Sequence, residues 1–268
     1  MDTDLPTPLI LGHADHDEPS VFIATNMMRE ARRQRHLGDR PVPQVCLLDP
    51  DGDVVRHLRS TGDATRHEDW ACYHSELWVT QLGDREIGIV PCAVGAPYAV
   101  LVAEQLVGSG CDLIISVTSA GTITPLDDPP YFVIIDEAWR GEGTSLRYLP
   151  AAPWARLADP LRERLGGAFD GLGEPVRHGR SWTTDAPFRE TGSAIAAARS
   201  AGVHGVEMEA AGLYAFAEAC GHDLVCVAHV TNSMAVDGDD FDKGEADGTH
   251  RILALVELLA TRLRPADD

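Results

Sequence analysis

A nearly unbroken apolar run in the middle of the chain is the feature that most constrains the fold. Within Asp112–Val117, four of five consecutive side chains are aliphatic, and only Ser116 interrupts them. Strands that helices cover on both faces of a sheet have this pattern, whereas strands with one solvated face alternate apolar and polar residues. The run leads directly into Thr118–Gly121, a turn of small residues. The sequence therefore predicts a buried strand of an α/β protein here.

Short apolar segments alternate with helical patterns along the rest of the chain, as in strand–helix–strand construction. The other predicted strands are Val45–Leu48, Glu86–Val94, Tyr131–Ala138, Gly202–Val206 and Leu224–Val230. The predicted helices are Tyr98–Val107, Pro153–Leu165 with a kink or restart at Pro160, Ala194–Arg199, Ala210–Cys220 and His250–Leu263. No internal repeat or change in composition divides the chain, so we expect a single domain over residues 1–268.

Composition and charge exclude several classes of function. The formal net charge of −20 argues against binding to nucleic acids or anionic membranes. No apolar run approaches the length of a membrane span, and the polar N-terminus does not resemble a signal peptide. The six cysteines stand singly, and the histidines form no pair at a metal-binding spacing. We therefore expect a cytoplasmic protein with reduced thiols and no metal site.

The segment Gly205–Tyr214 is the strongest candidate for a binding site. It places Glu207, Met208 and Glu209 at a predicted junction between a strand and a helix. A carboxylate near helix N-terminal amides is a good acceptor for vicinal hydroxyl groups, and a methionine offers an adaptable apolar surface to a sugar ring. The alternative is that the acidic residues only complement the helix dipole, and spacing alone favours that alternative.

Two further segments end predicted strands, where α/β proteins bind their ligands. Ser119 offers a hydroxyl group and neighbouring amides to an anion or a sugar hydroxyl, although small-residue turns are common. Asn232 can donate to and accept from a base, although an asparagine in this position is more often a turn residue.

Two polar loops could lie near the same cleft. We interpret Gly179–Thr191 as a loop in which Phe188 and Arg189 contact a base, or alternatively as a helix-capping turn with Trp182 in the core. For Asp185 we favour the structural role. Arg140–Ser145 is the second polar loop.

Together and in this order, these segments resemble the nucleoside phosphorylase superfamily, which includes uridine phosphorylases, hexameric purine nucleoside phosphorylases and methylthioadenosine nucleosidases. The resemblance covers roughly Arg85 to the C-terminus. Val206–Ala211 matches the most specific motif, and Glu142–Ser145 and Trp182–Ala186 resemble the uridine phosphorylase branch. The resemblance implies an α/β fold with a central mixed, twisted, barrel-like sheet flanked by helices. It also implies a dimer-based homo-oligomer, a hexamer being one form, with the active site near the dimer interface.

The resemblance assigns roles to individual residues. The catalytic set would be Glu209, Asn232 and Ser119, and the ribose would be bound by Met208, Glu209 and Glu207. The base would be bound by Thr183, Thr184, Phe188, Arg189 and Asn232. Candidates for binding phosphate are Gly12, Ser119, Arg140 and His74. No cofactor is implied, and inorganic phosphate would be the co-substrate of a nucleoside.

The chain departs from the family pattern at three positions. Asn232 replaces the aspartate that purine-specific relatives use to protonate the base, which favours uridine-type or 6-oxopurine-type substrates. Ser116 stands where the family carries a phosphate-binding arginine, and only Gly12 remains of the family's Gly-Asp-Pro turn. Phosphorolysis is therefore the first hypothesis, and hydrolysis by a nucleosidase or non-catalytic nucleoside binding are the alternatives.

Overall fold

The computed structural model describes residues 15–167, 169–231 and 245–264, and in them strands and helices alternate. The strands are β1 (Val45–Asp49), β2 (Thr65–Arg66), β3 (Trp78–Leu82), β4 (Arg85–Pro91), β5 (Leu113–Ser119), β6 (Gly121–Thr122), β7 (Tyr131–Gly141), β8 (Trp154–Arg156), β9 (Val176–Thr184), β10 (Gly205–Glu207) and β11 (Asp223–Val230). The α-helices are α1 (Ala24–Arg35), α2 (Asp53–Thr61), α3 (Ala96–Val107), α4 (Ser145–Tyr148), α5 (Asp159–Arg164), α6 (Gly192–Ser200), α7 (Ala210–Cys220) and α8 (Thr249–Leu263).

All of these strands belong to one mixed sheet. Its order is β2-β3-β4-β1-β5-β11-β7-β9-β10-β6, with β8 paired to β7. The strands β4, β1, β5 and β11 run parallel, and so do β7, β9 and β10, whereas β11 and β7 are antiparallel. The predicted α/β fold with a mixed central sheet flanked by helices is confirmed.

The strand β5 lies in the middle of this sheet and fixes the position of the site. Its first six residues are buried, as its aliphatic run predicts, and only Ser119 at its carboxyl end is partly exposed. Parallel strands end at the same edge of a sheet, so β1, β5 and β11 bring Asp49, Ser119 and Val230 to one edge. None of the described helices is both long enough and apolar enough to cross a membrane.

Two predicted segments have a different structure. Pro153–Leu165 is not one helix, because Trp154–Arg156 forms β8 against Glu137–Trp139 of β7. Pro160 lies in the first turn of the short helix α5, where the missing N–H of proline has no cost. The segment 179–184, interpreted as part of a loop, forms the second half of β9 between β7 and β10. Its polar residues lack the alternation that identifies a strand, and pairing on both sides stabilises it instead.

Candidate functional site

The junction between β10 and α7 has the predicted strand-to-helix geometry. Glu209 is the residue preceding the helix, with φ −125° and ψ −40°, and its side chain does not cap the helix. The Glu207 carboxylate does so instead, because its Oε2 accepts the N–H groups of Glu209 and Ala210, each at 2.7 Å. Helix N-terminal amides are otherwise unsatisfied, so this contact fixes where α7 begins.

Glu207 is also held from the sheet. Its Oε1 accepts hydrogen bonds from the hydroxyl groups of Ser181 at 2.9 Å and Thr183 at 2.5 Å. The Thr183 hydroxyl in turn accepts the N–H of Ala211 at 2.9 Å. Both oxygens of Glu207 are thus bound by protein donors, and the side chains of Glu207 and Thr183 are buried. In this arrangement these two residues hold the junction between β10 and α7 in position.

The surroundings of Glu209, two residues after Glu207, differ from those of Glu207. It is 2% exposed, and its Oε1 accepts the N–H of Gly95 at 2.7 Å. Gly95 has φ +85°, which side-chain-bearing residues rarely adopt, so the turn before α3 requires glycine to bring this amide to the carboxylate. The other oxygen, Oε2, is buried and has no hydrogen-bond partner in the described structure. A buried acceptor without a donor is unfavourable, and a hydroxyl group of a ligand would satisfy it.

Burial shifts the pKa values of both carboxyl groups at this junction. Burial, and then the nearby Glu207 carboxylate, raise the pKa of Glu209 to about 8, although the Gly95 amide and the Thr118 hydroxyl act in the opposite direction. Burial raises the pKa of Glu207 too, but four donors stabilise its anion. Glu209 is therefore the carboxyl group of this junction whose pKa lies near neutral pH.

The carboxyl ends of β1, β5 and β11 enclose a second polar region, which we call the strand-end cavity. Its volume is about 10 Å³, roughly the space of a single water molecule. The polar residues that line it are Asp49, Asp51, Asp53, Thr118, Ser119, His229 and Thr231. Ser119 donates its hydroxyl group to Asp51 Oδ2 at 2.5 Å and its N–H to the same oxygen at 3.1 Å. Thr118 lines the cavity too, and its hydroxyl group is one of the groups that act to lower the pKa of Glu209.

Asp49 is the most buried carboxylate of the cavity, at 3% exposure. Its oxygens accept the N–H groups of Gly52 and Val55, both at 3.2 Å, so it fixes the loop between β1 and α2. Burial raises its pKa to about 7. The folded protein therefore retains a proton that the unfolded chain loses near pH 4.

Asp49→Asn is expected to remove a pH dependence of stability. A raised pKa stabilises the folded state fully below the unfolded value and is lost as the pH rises through the folded value. The free energy of unfolding of the unmodified protein, relative to Asp49→Asn, should thus fall by about 3 kcal/mol between roughly pH 5 and pH 8. Urea denaturation across this range measures the difference, and parallel curves for the two proteins would contradict it.

Two residues predicted to bind phosphate lie elsewhere. Arg140 donates to the Ser145 hydroxyl at 2.8 Å and to the carbonyls of Leu149 and Pro150 at 3.1 and 2.7 Å, so its guanidinium group holds the segment after β7 in place. His74 is exposed between β2 and β3, and its carbonyl accepts the Tyr98 hydroxyl at 2.7 Å. Neither lines the strand-end cavity.

The residues predicted to bind the base are only partly brought together. Thr184 is buried, and its hydroxyl accepts the N–H of Ala186 at 3.1 Å. Phe188 is 99% exposed, and Arg189 is exposed with it in a 3₁₀ turn. Met208 is half-buried beside Glu209, and Asn232, like Gly12, lies outside the described residues.

Trp182 lies in the core as the structural interpretation of the loop predicts, but Thr191 and not Asp185 caps the following helix, by accepting the N–H of Ala194 at 3.3 Å. Trp182 is buried in a small apolar cluster with Ile123, Val203 and Val206. Asp185 accepts the N–H of Gly143 at 3.0 Å, which ties the loop after β7 to the end of β9.

Sequence reasoning missed the acidic residues and the histidine of the strand-end cavity. Asp49, Asp51 and Asp53 directly follow a predicted strand, and His229 lies at the end of another, so the rule that ligands bind at strand ends points to them. Among the described residues, no group of three His, Cys, Asp or Glu side chains could hold a metal ion.

Comparison with known proteins gives concordant matches. A family model described as the phosphorylase superfamily matches residues 44–260. A uridine phosphorylase of Thermococcus kodakarensis is 28% identical over 234 residues, which cover 78% of this chain and 83% of that protein. A guanosine phosphorylase of Halorubrum lacusprofundi is 28% identical over 221 residues, which cover 74% and 89%. The crystal structure of a uridine phosphorylase from Vibrio fischeri matches the fold with a TM-score of 0.68 at 18% identity, covering 82% of this chain and 91% of that chain.

The matched region also corrects the extent of the resemblance. It begins at Gln44, immediately before β1, and not near Arg85. Gly12 lies outside it. The first strand, turn and helix of the matched region are β1, residues 50–52 and α2.

Proposed function

The chain belongs to the phosphorylase superfamily, and on this premise we propose that it cleaves the N-glycosidic bond of a nucleoside. The first candidate reaction is phosphorolysis, which yields the free base and ribose 1-phosphate. The names of two relatives, a uridine phosphorylase and a guanosine phosphorylase, support it. The observation that carries the proposal is Glu209, a buried carboxylate with one oxygen held by Gly95 and the other without a hydrogen-bond partner among the described residues.

The chemistry of the reaction matches this carboxylate. Cleavage of an N-glycosidic bond develops positive charge on the ribose and negative charge on the departing base. A carboxylate that accepts the 2′- and 3′-hydroxyl groups orients the sugar and stabilises its positive charge. Glu209 Oε2 is the atom proposed to accept these hydroxyl groups, and the half-buried Met208 beside it is proposed to pack against the ring. Glu207 acts on the same step indirectly, because its hydrogen bonds position Glu209 and the start of α7.

The base is proposed to be of the uridine or 6-oxopurine type. Asn232 supports this choice, since a neutral amide can donate a hydrogen bond to a carbonyl oxygen of the leaving base but cannot protonate it. Thr184, Phe188 and Arg189 are the remaining candidates for the base pocket. Of these, Phe188 is fully exposed and so available for stacking on a base.

Hydrolysis is the second candidate, and the charge of the strand-end cavity favours it. Three aspartates line the cavity. The hydroxyl group and the N–H of Ser119 already donate hydrogen bonds to one of them, Asp51. No arginine or lysine is among the described residues that line it. A phosphate dianion would meet these carboxylates at short range, where like charges repel strongly, whereas a water molecule would not.

Release of the base from a panel of nucleosides tests both candidates. The panel comprises uridine, thymidine, inosine, guanosine, adenosine and methylthioadenosine, each with and without phosphate. We expect release from uridine, inosine or guanosine. A requirement for phosphate, with ribose 1-phosphate as product, supports phosphorolysis, and release indifferent to phosphate supports hydrolysis. No release from any nucleoside would contradict the proposal and leave nucleoside binding alone.

A further inference from the structure

The hydroxyl group and the amide of Ser119 bind an anionic group that belongs to the protein itself. Ser119 is the last residue of β5, and both of its donors are bound to one oxygen of Asp51, the hydroxyl group at 2.5 Å and the N–H at 3.1 Å. A hydroxyl group and a backbone amide that converge on one carboxylate oxygen are donors suited to any anion of similar size. The strand-end cavity has room for about one water molecule with Asp51 in this position.

The loop after β1 fixes the position of Asp51. The carbonyl of Asp49 accepts the N–H of Gly52 at 3.0 Å and the N–H of Cys92, just after β4, at 2.8 Å. Gly52 has φ +73°, and a Cβ atom at this position would lie 2.8 Å from Cys92 Sγ, so this close approach requires glycine. Asp51 directly precedes Gly52. Its contact with Ser119 is therefore made from a loop that is bound to the neighbouring strand.

Asp51 differs from the other two aspartates of this loop in what compensates its carboxylate. Asp49 accepts backbone amides, and burial raises its pKa to about 7, so it keeps a proton in part of the molecules at neutral pH. Asp53 forms an ion pair with Arg56 at 2.6 Å. The Asp51 carboxylate instead takes both donors of Ser119, and Asp51 is exposed, so an anion from solution can reach the same donors.

We propose that Asp51 is an internal competitor of inorganic phosphate, which binds at the end of β5 by displacing the Asp51 carboxylate from Ser119. The choice of phosphate rests on the proposed function, in which phosphate is one of the two acceptor molecules. A water molecule carries no charge for Asp51 to repel, so this residue shifts the preference of the site from phosphate towards water. Removal of its side chain frees both donors and takes away one repulsive charge.

Isothermal titration calorimetry with inorganic phosphate, in the absence of nucleoside, tests the proposal. We expect Asp51→Ala to bind phosphate about 10- to 100-fold more tightly than the unmodified protein, the range that one charged competitor for a hydrogen bond gives. Asp51→Asn keeps the volume of the side chain but not the charge, and its Kd should lie between the two. The matched control is Glu86→Ala, which removes one negative charge near the amino end of β4 and should leave Kd unchanged.

The double variant Asp51→Ala, Ser119→Ala locates the effect. It lacks one of the two freed donors, so most of the gain in affinity should be lost. An Asp51→Ala protein whose phosphate affinity equals or falls below that of the unmodified protein would overturn the proposal, as would a gain that survives Ser119→Ala in full. If the unmodified protein cleaves no nucleoside, the proposed function fails, and the phosphate affinities still decide whether Asp51 competes.

Discussion

Glu209→Ala is expected to lower kcat/KM for nucleoside cleavage by about three orders of magnitude. The substitution removes both oxygens, one of which is held by the Gly95 amide and the other proposed to accept the ribose hydroxyl groups. A hydrogen bond to a charged group contributes roughly 1.5–3 kcal/mol, and two of them give a loss of about 3–6 kcal/mol in transition-state stabilisation. Glu209→Gln keeps an acceptor for the Gly95 amide but loses the charge. Its kcat/KM should therefore lie between the values of Glu209→Ala and of the unmodified protein.

The same carboxylate predicts how activity depends on pH. The pKa of Glu209 is raised to about 8, and only its anion stabilises positive charge on the ribose. The kcat/KM of the unmodified protein should thus rise as the pH rises through about 8, and Glu209→Gln should lack that limb. Glu86→Gln, in an exposed ion pair with Arg40, is the control and should behave as the unmodified protein. Activity that survives Glu209→Ala nearly intact would refute the ribose site.

Glu207→Leu is expected to have the largest effect on stability. It leaves the hydroxyl groups of Ser181 and Thr183 and the amides of Glu209 and Ala210 without their acceptor, in a buried region. Each buried donor that loses its partner costs about 1–3 kcal/mol, so the loss of the acceptor for four donors should lower the free energy of unfolding by about 4 kcal/mol or more. Urea denaturation followed by circular dichroism measures the loss.

Ser181→Ala is the matched control for Glu207→Leu, because it removes one of the four donors and leaves the acceptor in place. Its destabilisation should be about 1 kcal/mol. Equal stabilities for Glu207→Leu and the unmodified protein would show that this carboxylate does not hold the junction.

Glu207→Gln should lower the pH at which Glu209 ionises, because the charge that raises the pKa of Glu209 is gone.

Elements with a strong pattern of their own could be predicted from the sequence. The aliphatic run of β5 is buried as expected, and α7 has the predicted bounds Ala210–Cys220. The segments 154–156 and 179–184 could not be identified, because they are strands only through the neighbours that pair with them. The helices α1 and α2 and the strand β3 were not predicted at all.

The candidate site likewise contains residues that the sequence could identify and residues that it could not. Glu209 could be identified as a ligand-binding candidate, because its motif is local and specific. The cavity that contains Asp51 and His229 could not, because these residues become neighbours only when β1, β5 and β11 are placed side by side. Contacts across the sheet also give Glu207 and Thr183 a supporting role that their spacing did not indicate. The homo-oligomer that the resemblance implies remains a prediction.

Successive side chains at the end of β5 belong to two different polar regions, the surroundings of Glu209 and the strand-end cavity. Thr118 acts on Glu209, and the next residue, Ser119, binds Asp51 across the cavity. Because successive side chains of a strand point to opposite faces, inserting or deleting one residue in β5 would exchange the surroundings of both hydroxyl groups at once. The length of β5 is therefore under double constraint, because a single strand sets the position of both hydroxyl groups.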